Sequence, residues 1–334
     1  MVNKLFYLFF IFILFSCSTD KLEVNTSEVK IDLKHYNSLP QLMISNPNAL
    51  WVSIQKSKLT YPELMDYQLG YCLQIQSNED TTIINALQTF QKDPYIQRLQ
   101  KELTDHFQNT QRFETKIDQG FLRLKAFMPE TKTPQSIVYM NTLFNASVFC
   151  TEKEIGVGME RYLGKDNPLI QELPGNIFFD WIKNGFDEKY LPSDVFNAWI
   201  STHLIPEKEG NLAENMIRWG KIIYLTKAAL PEEKEEVLLR YSNKNLDWAL
   251  KNERLIWEYL VEENFLFKVN AKTNANFLND APFTSGLPEK GPDRLGRFLG
   301  YRMVLKYMEL SETKVSELIN IPYTEILQEY EIED

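Results

Sequence analysis

Hydrophobic side chains in the first half of the chain recur three and four residues apart. In Ile83-Ile84-Asn-Ala-Leu87-Gln-Thr-Phe90, in Ile96–Leu103 and, more loosely, in Phe121–Phe127 they fall on one side of a 3.6-residue period, which predicts helices with a buried face. Met128-Pro129 closes the last of these, because the residue before a proline is driven out of helical geometry. From Gln135 the pattern changes. Ile137-Val-Tyr-Met-Asn141 and Ala146-Ser-Val-Phe-Cys150 are short β-branched and aromatic runs, and Thr151-Glu-Lys-Glu154 separates the second from Ile155-Gly-Val-Gly-Met159, which predicts a small antiparallel sheet in the middle of the chain. Helices resume after a loop at Tyr162–Pro168: one from about Asp194 to His203, one from about Ala213 to Leu230 with Pro231 as its stop, and one near Leu246–Phe265. In the third, Leu246, Ala249, Leu250, Ile256, Trp257, Leu260 and Val261 form an apolar stripe opposite Lys251, Arg254 and Glu258, so the stripe is expected in the core. Without a Pro/Gly/Ser-rich linker or a 20–50-residue repeat, residues 31–330 read as one α+β domain, predominantly helical.

The first sixteen residues follow a different rule. Lys4 supplies a short basic start, Leu5–Phe15 an apolar run, and Ser16 a small residue, which is the make-up of an export signal. The run is shorter than the ~20 residues that a bilayer-spanning helix needs. Leu14-Phe15-Ser16-Cys17 resembles a bacterial lipobox, which makes residues 1–16 a lipoprotein signal peptide and Cys17 the acylated first residue. Two or three acyl chains hold a protein stably at a membrane. Residues 17–30, polar and without period, are expected to be a flexible tether. Ser18-Thr-Asp-Lys-Leu-Glu23 lacks a dense acidic patch, so the body is expected to face the periplasm.

Composition narrows the function. With 36 Lys+Arg against 46 Asp+Glu the chain carries a formal charge of −10, the wrong sign for a nucleic-acid partner. Three Cys and three His contain no paired zinc-ligand spacing, H-E-x-x-H is absent, and neither a phosphate-binding glycine loop nor a G-x-S-x-G elbow occurs. Cys72 and Cys150 could pair or remain as two buried thiols. Glu232-Glu-Lys-Glu-Glu236 cannot converge on one ion, since consecutive helical residues splay about 100° apart, and reads as a solvated helix start. In Arg294-Leu-Gly296-Arg297-Phe-Leu-Gly300-Tyr-Arg302 three arginines preclude burial in lipid, so Gly296 and Gly300 are expected to let another helix approach.

Several stretches, in a consistent order, resemble the gliding-motility lipoprotein family GldB of Bacteroidetes. Besides the lipobox they are Ile31-Asp-Leu-Lys-His-Tyr36, Tyr61-Pro62, Val157-Gly-Met-Glu-Arg-Tyr-Leu-Gly-Lys-Asp-Asn-Pro168, Met216-Ile-Arg-Trp-Gly-Lys-Ile-Ile-Tyr224, Trp248, Asn252-Glu253, Ile256-Trp257, Ala281-Pro-Phe283, Gly291-Pro-Asp-Arg-Leu-Gly296, Leu299-Gly-Tyr-Arg-Met-Val304 and Tyr307-Met308. The resemblance implies a cell-envelope role in surface gliding, linked to type IX secretion. The family in turn looks like a branch of predicted zincin-type zinc peptidases, which implies a zincin-like body. The zincin mechanism needs two His one turn apart, a Glu base and a third ligand. Aligned on that pattern, this chain offers Trp199 and His203 on one helix and Trp219-Gly220 on the next, and of these only His203 is of ligand type. The expectation is therefore a degenerate cleft at Trp199, His203 and Trp219, with no catalytic residue, metal or cofactor. Such a cleft would bind a protein or peptide of the motility or secretion apparatus and not a small-molecule substrate, with an edge strand of the Ile137–Met159 sheet as the docking element. The rivals are a hydrolase using Glu214 with Asp194 as paired carboxylates, and a scaffold lipoprotein unrelated to motility.

Overall fold

The computed structural model describes residues 21–77, 79–287 and 291–330; Cys17 and the signal peptide lie outside them. Strand β1 (Lys34–Asn37) is followed by five helices, α1 (Pro47–Thr60), α2 (Pro62–Tyr67), α3 (Asp80–Phe90), α4 (Pro94–His106) and α5 (Gln111–Phe127). Then come β2 (Ser136–Met140), β3 (Val148–Cys150) and β4 (Glu154–Gly158). The remainder is helical: α6 (Pro168–Gln171), α7 (Asp180–Lys183), α8 (Leu191–His203), α9 (Leu212–Ala229), α10 (Glu235–Leu238), α11 (Asn243–Lys251), α12 (Glu253–Glu262), α13 (Ala271–Leu278), α14 (Leu295–Leu310) and α15 (Tyr323–Gln328). Local chemistry sets several of these boundaries. Asn46 and Asp93 accept hydrogen bonds from the first free N–H groups of α1 and α4, each with proline at the following position, where a missing N–H costs nothing.

The sheet is mixed, which corrects the antiparallel expectation. Its order is β1-β2-β4-β3, with β1 parallel to β2, β2 parallel to β4, and only β3 antiparallel to β4. The local hairpin governs the β3–β4 pair alone, whereas β1 comes to β2 from the other side of five helices. Buried from end to end, β2 and β4 divide two cores, as strands of covered parallel sheets do. Ile137, Tyr139, Ile155 and Val157 face the large core. Val138 and Met140 face a smaller one built with Leu50, Ile54, Leu64, Ile83 and Leu87. At Gly156 the Phe149 ring fills the side-chain position, 2.2 Å from where a Cβ would stand.

Helices α9 and α14 form the axis of the large core. Fourteen residues of the 18 in α9 are buried, too many for one apolar face, so the helix is surrounded. Its Gly220 meets Gly300 of α14 with backbone against backbone, as the glycine spacing predicts. The long helix expected over Leu246–Phe265 is instead two, α11 and α12. Asn252 returns its backbone N–H and its side-chain amide to the Trp248 carbonyl, at 3.1 and 2.8 Å, and interrupts the ladder. The predicted stripe is broken accordingly: Ala249, Ile256 and Leu260 are buried, but Leu250 and Val261 are 39% and 47% exposed. The acidic run at 232–236 is partly built in, since Glu233 is buried and ion-paired with Lys116. Packing extends back to Lys21, within the segment read as a tether. Lys21 donates to the carbonyls of Met308 and Ser311, and Arg123 donates to that of Leu22. Among the described residues no helix is long and apolar enough to cross a membrane.

Candidate functional site

Two of the three predicted cleft residues come together. On α8, Trp199 is buried, donates its indole N–H to the Lys132 carbonyl at 3.2 Å and stands edge-on to Phe121. His203, one turn later, lies with its ring centroid 3.9 Å from that of Trp199, and its Nε2 is 2.9 Å from the Thr151 carbonyl. Burial lowers the His203 pKa, against the opposing pull of that hydrogen bond. Trp219 is engaged elsewhere: on α9 its indole carries the guanidinium of Arg297, whose carbon is 3.8 Å from the ring centroid. The rival carboxylates do not pair either. Asp194 accepts from the Tyr162 hydroxyl at 2.9 Å and is ion-paired with Arg240, while Glu214 sits in the first turn of α9, where Asn211 caps its N–H. Cys72 and Cys150 are both free thiols, pushed up to about 12 by burial.

A second group of residues, not foreseen as a site, gathers beside Asp280. Immediately after β4, Glu160 is fully buried, and its Oε1 accepts the N–H groups of Thr142 (3.0 Å) and Phe144 (2.8 Å) and the Thr142 hydroxyl. Leu143 and Phe144 turn left-handed, at φ 53° and 64°, to aim these donors, a concavity of backbone N–H groups suited to an anion. Burial pushes the Glu160 carboxyl up despite those bonds. The next residue, Arg161, donates to the Phe144 carbonyl and lies over the Phe186 ring. Arg240 and Arg294 are also left-handed, at φ 54° and 56°. Arg240 pairs with Asp194 and donates to the Gly185 carbonyl at 2.7 Å. Arg294, at the N-cap of α14, stands 2.9 Å from Asp293 and 3.4 Å from Asp280, and donates to the Arg240 carbonyl at 3.1 Å.

The electrostatics of the four arginines divide two and two. Burial works against the charge of Arg240 and Arg294, but their acidic partners prevail and raise both. For Arg161 and Arg297 burial prevails, and Arg297 is pushed down to about 10. Burial would raise Asp280, yet Arg294, Arg297, Arg240 and Arg161 together hold it below the usual carboxylate range. Guanidinium groups are fixed cations with rigid donor forks and offer no base. The sequence carried a signal here, three arginines in nine residues from Arg294 together with the Glu160-Arg161-Tyr162 motif, but not the fact that the two segments meet.

The fold is thus a predominantly helical α+β body around a small mixed sheet, with a buried cluster of arginines and carboxylates at the N-terminal end of α14. The chain belongs to the gliding motility protein GldB family, whose model matches residues 19–332. It is accordingly a gliding-motility-associated lipoprotein of the cell envelope. No curated protein and no solved structure matches it.

Proposed function

We propose that this lipoprotein is a non-catalytic, protein- or peptide-binding component of the gliding apparatus and its type IX secretion partner system, anchored through acylated Cys17 with its body facing the periplasm. The carrying observation is that the side chains on which hydrolysis would depend are already committed within the body. His203 is bonded to the Thr151 carbonyl and stacked on Trp199, and Asp194 is neutralised by Arg240 and Tyr162. Indole can neither ligate zinc nor accept a proton, so Trp199 and Trp219 contribute nothing to a zincin mechanism. The edge strand β3 is a poor docking element because α8 packs against it, with His203 closing on the carbonyl just beyond it.

The test is the purified mature lipoprotein in detergent, assayed for zinc by elemental analysis and for cleavage of casein-type peptides with and without added metal. No stoichiometric zinc and no cleavage are expected. Peptidase activity that disappears in His203→Ala would overturn the reading and move the site to that residue.

A further inference from the structure

Very little chain joins the anchor to the body. Residues 17–30 read as a tether, yet Lys21 is already bound, its ammonium donating to the carbonyls of Met308 and Ser311 at the C-terminal end of α14. Carbonyls at a helix C-terminus lack partners within the helix, and a cation there also meets the negative pole of the helix dipole. Arg123 of α5 ties down the next residue. It donates to the Leu22 carbonyl and, at 2.9 Å, to that of Ala228 near the end of α9. From there to β1 the segment stays on the body, with Leu22, Ile31 and Leu33 packed against the large core. The length left free is the four residue steps from Cys17 to Lys21, at most ~14 Å whatever course they take. Acyl chains hold Cys17 in the headgroup layer, which is itself only about 5–7 Å deep on each side of the hydrocarbon.

Leu310 lies between the two residues whose carbonyls Lys21 holds, and it is 65% exposed. A single exposed leucine carries no meaning of its own, but this one stands where the chain leaves for the bilayer. The exposed charges beside it, Glu309, Glu312 and Lys314, are of both signs and give no net attraction to anionic headgroups, so the surface fits a zwitterionic lipid.

We infer that the C-terminal end of α14, with Leu310 in its last turn, is a membrane-contact surface: the anchor seats this end of the body directly on the bilayer instead of letting the body range on a tether. The inference rests on the acylation of Cys17 in the reading above and deepens it.

The test uses the mature lipoprotein, its acyl chains confirmed by mass, reconstituted in phosphatidylcholine vesicles in which part of the lipid carries a nitroxide. A bimane fluorophore is attached at Leu310→Cys or, for comparison, at Leu59→Cys, an 86% exposed position on α1, across the sheet from α14. Cys72 and Cys150, thiols pushed up to about 12 by burial, stay unlabelled at neutral pH. The lipid nitroxide should quench the label at Leu310 and leave that at Leu59 unquenched. An insertion of about sixteen Gly/Ser residues between Asp20 and Lys21, worth roughly 20–24 Å of reach, should abolish the quenching at Leu310. Equal quenching at the two positions in the acylated protein would overturn the inference, as would quenching at Leu310 that survives the insertion. A mass without acyl chains would refute the anchor and the inference with it, and the mass alone tells that failure from the others.

Discussion

Replacing Gly300 with alanine adds one methyl group at the tightest of the glycine positions. Its Cβ would lie 1.8 Å from the Met216 carbonyl oxygen, where ordinary contact begins at 3.4 Å, and Gly220 opposite is equally tight, 2.0 Å from the Gly300 oxygen. Both obstacles are backbone, so no rotamer change relieves them and α9 and α14 must part by roughly 1.6 Å, enough to forfeit more than half of each dispersion contact across the seam. Overpacking costs about 1–3 kcal/mol where side chains can shift, and the upper end is expected where they cannot. Alanine returns about 1 kcal/mol through its helix propensity. The net loss of ~2 kcal/mol should lower the melting temperature by about 3 °C in a body of this size, measured by circular dichroism, with Gly300→Leu at least as damaging. Two controls fix the sign. Glu309→Ala changes an exposed side chain and should stay within about 0.5 kcal/mol of the wild type. Gly70→Ala, with nothing within 4 Å of the new methyl, should be neutral or stabilising. Equal melting of Gly300→Ala and Glu309→Ala would refute the backbone contact.

Cys17→Ser should abolish acylation and leave uncleaved precursor or released protein; equal incorporation of labelled fatty acid into the variant would contradict the anchor. Lys221 is pulled down to about 8 by burial, with Nζ donating to the Ile321 carbonyl at 2.5 Å. An unfolded lysine keeps its proton to about pH 10, so between pH 8 and 10 the unfolded chain binds more protons and the Lys221 contribution to stability rises with pH. The difference in melting temperature between wild type and Lys221→Met should therefore move in favour of the wild type across that interval, and a difference flat in pH would refute the assignment. Glu160 has the reverse linkage. Its raised carboxyl pKa makes its contribution complete below the unfolded value of about 4.3 and lost as pH rises through the folded one, so Glu160→Gln should compare more favourably with the wild type at pH 7 than at pH 4 in urea midpoints. Identical midpoint differences at the two pH values would sink it.

What could be read from the chain is what local chemistry decides. The periodic runs at Ile83–Phe90, Ile96–Leu103 and Phe121–Phe127 lie inside α3, α4 and α5, and Met128-Pro129 follows α5 as expected. The Gly300 contact was also legible, because glycine at helical spacing among bulky neighbours implies a close approach. Strand direction was not. A buried run such as Ile137–Met140 has no alternation to reveal its partner, and the hairpin rule reaches only the β3–β4 pair. For the same reason Lys34–Asn37 carried no strand signal: its pairing is with Ser136–Tyr139, about a hundred residues away. At Asn252 a continuous apolar stripe concealed a break made by one side-chain amide.

The arginine cluster was hidden for a different reason. Its arginines lie at 161, 240, 294 and 297, on three separate stretches, and the left-handed turns at Arg240 and Arg294 use a residue type that gives no warning of such a conformation. Trp219 shows the same effect from the other side. Aligned on a metal site it is only a ligand that is missing, whereas in the fold it is the surface that holds Arg297 in place. A formal charge of −10 is an average over the whole chain and constrains long-range attraction to polyanions, not the make-up of one cluster. An acidic chain can thus gather four guanidiniums in one place because each meets a carboxylate of its own, Asp194 for Arg240, Asp293 for Arg294, Glu160 for Arg161 and Asp280 for Arg297, and that matching must be read from which arginine each acid reaches.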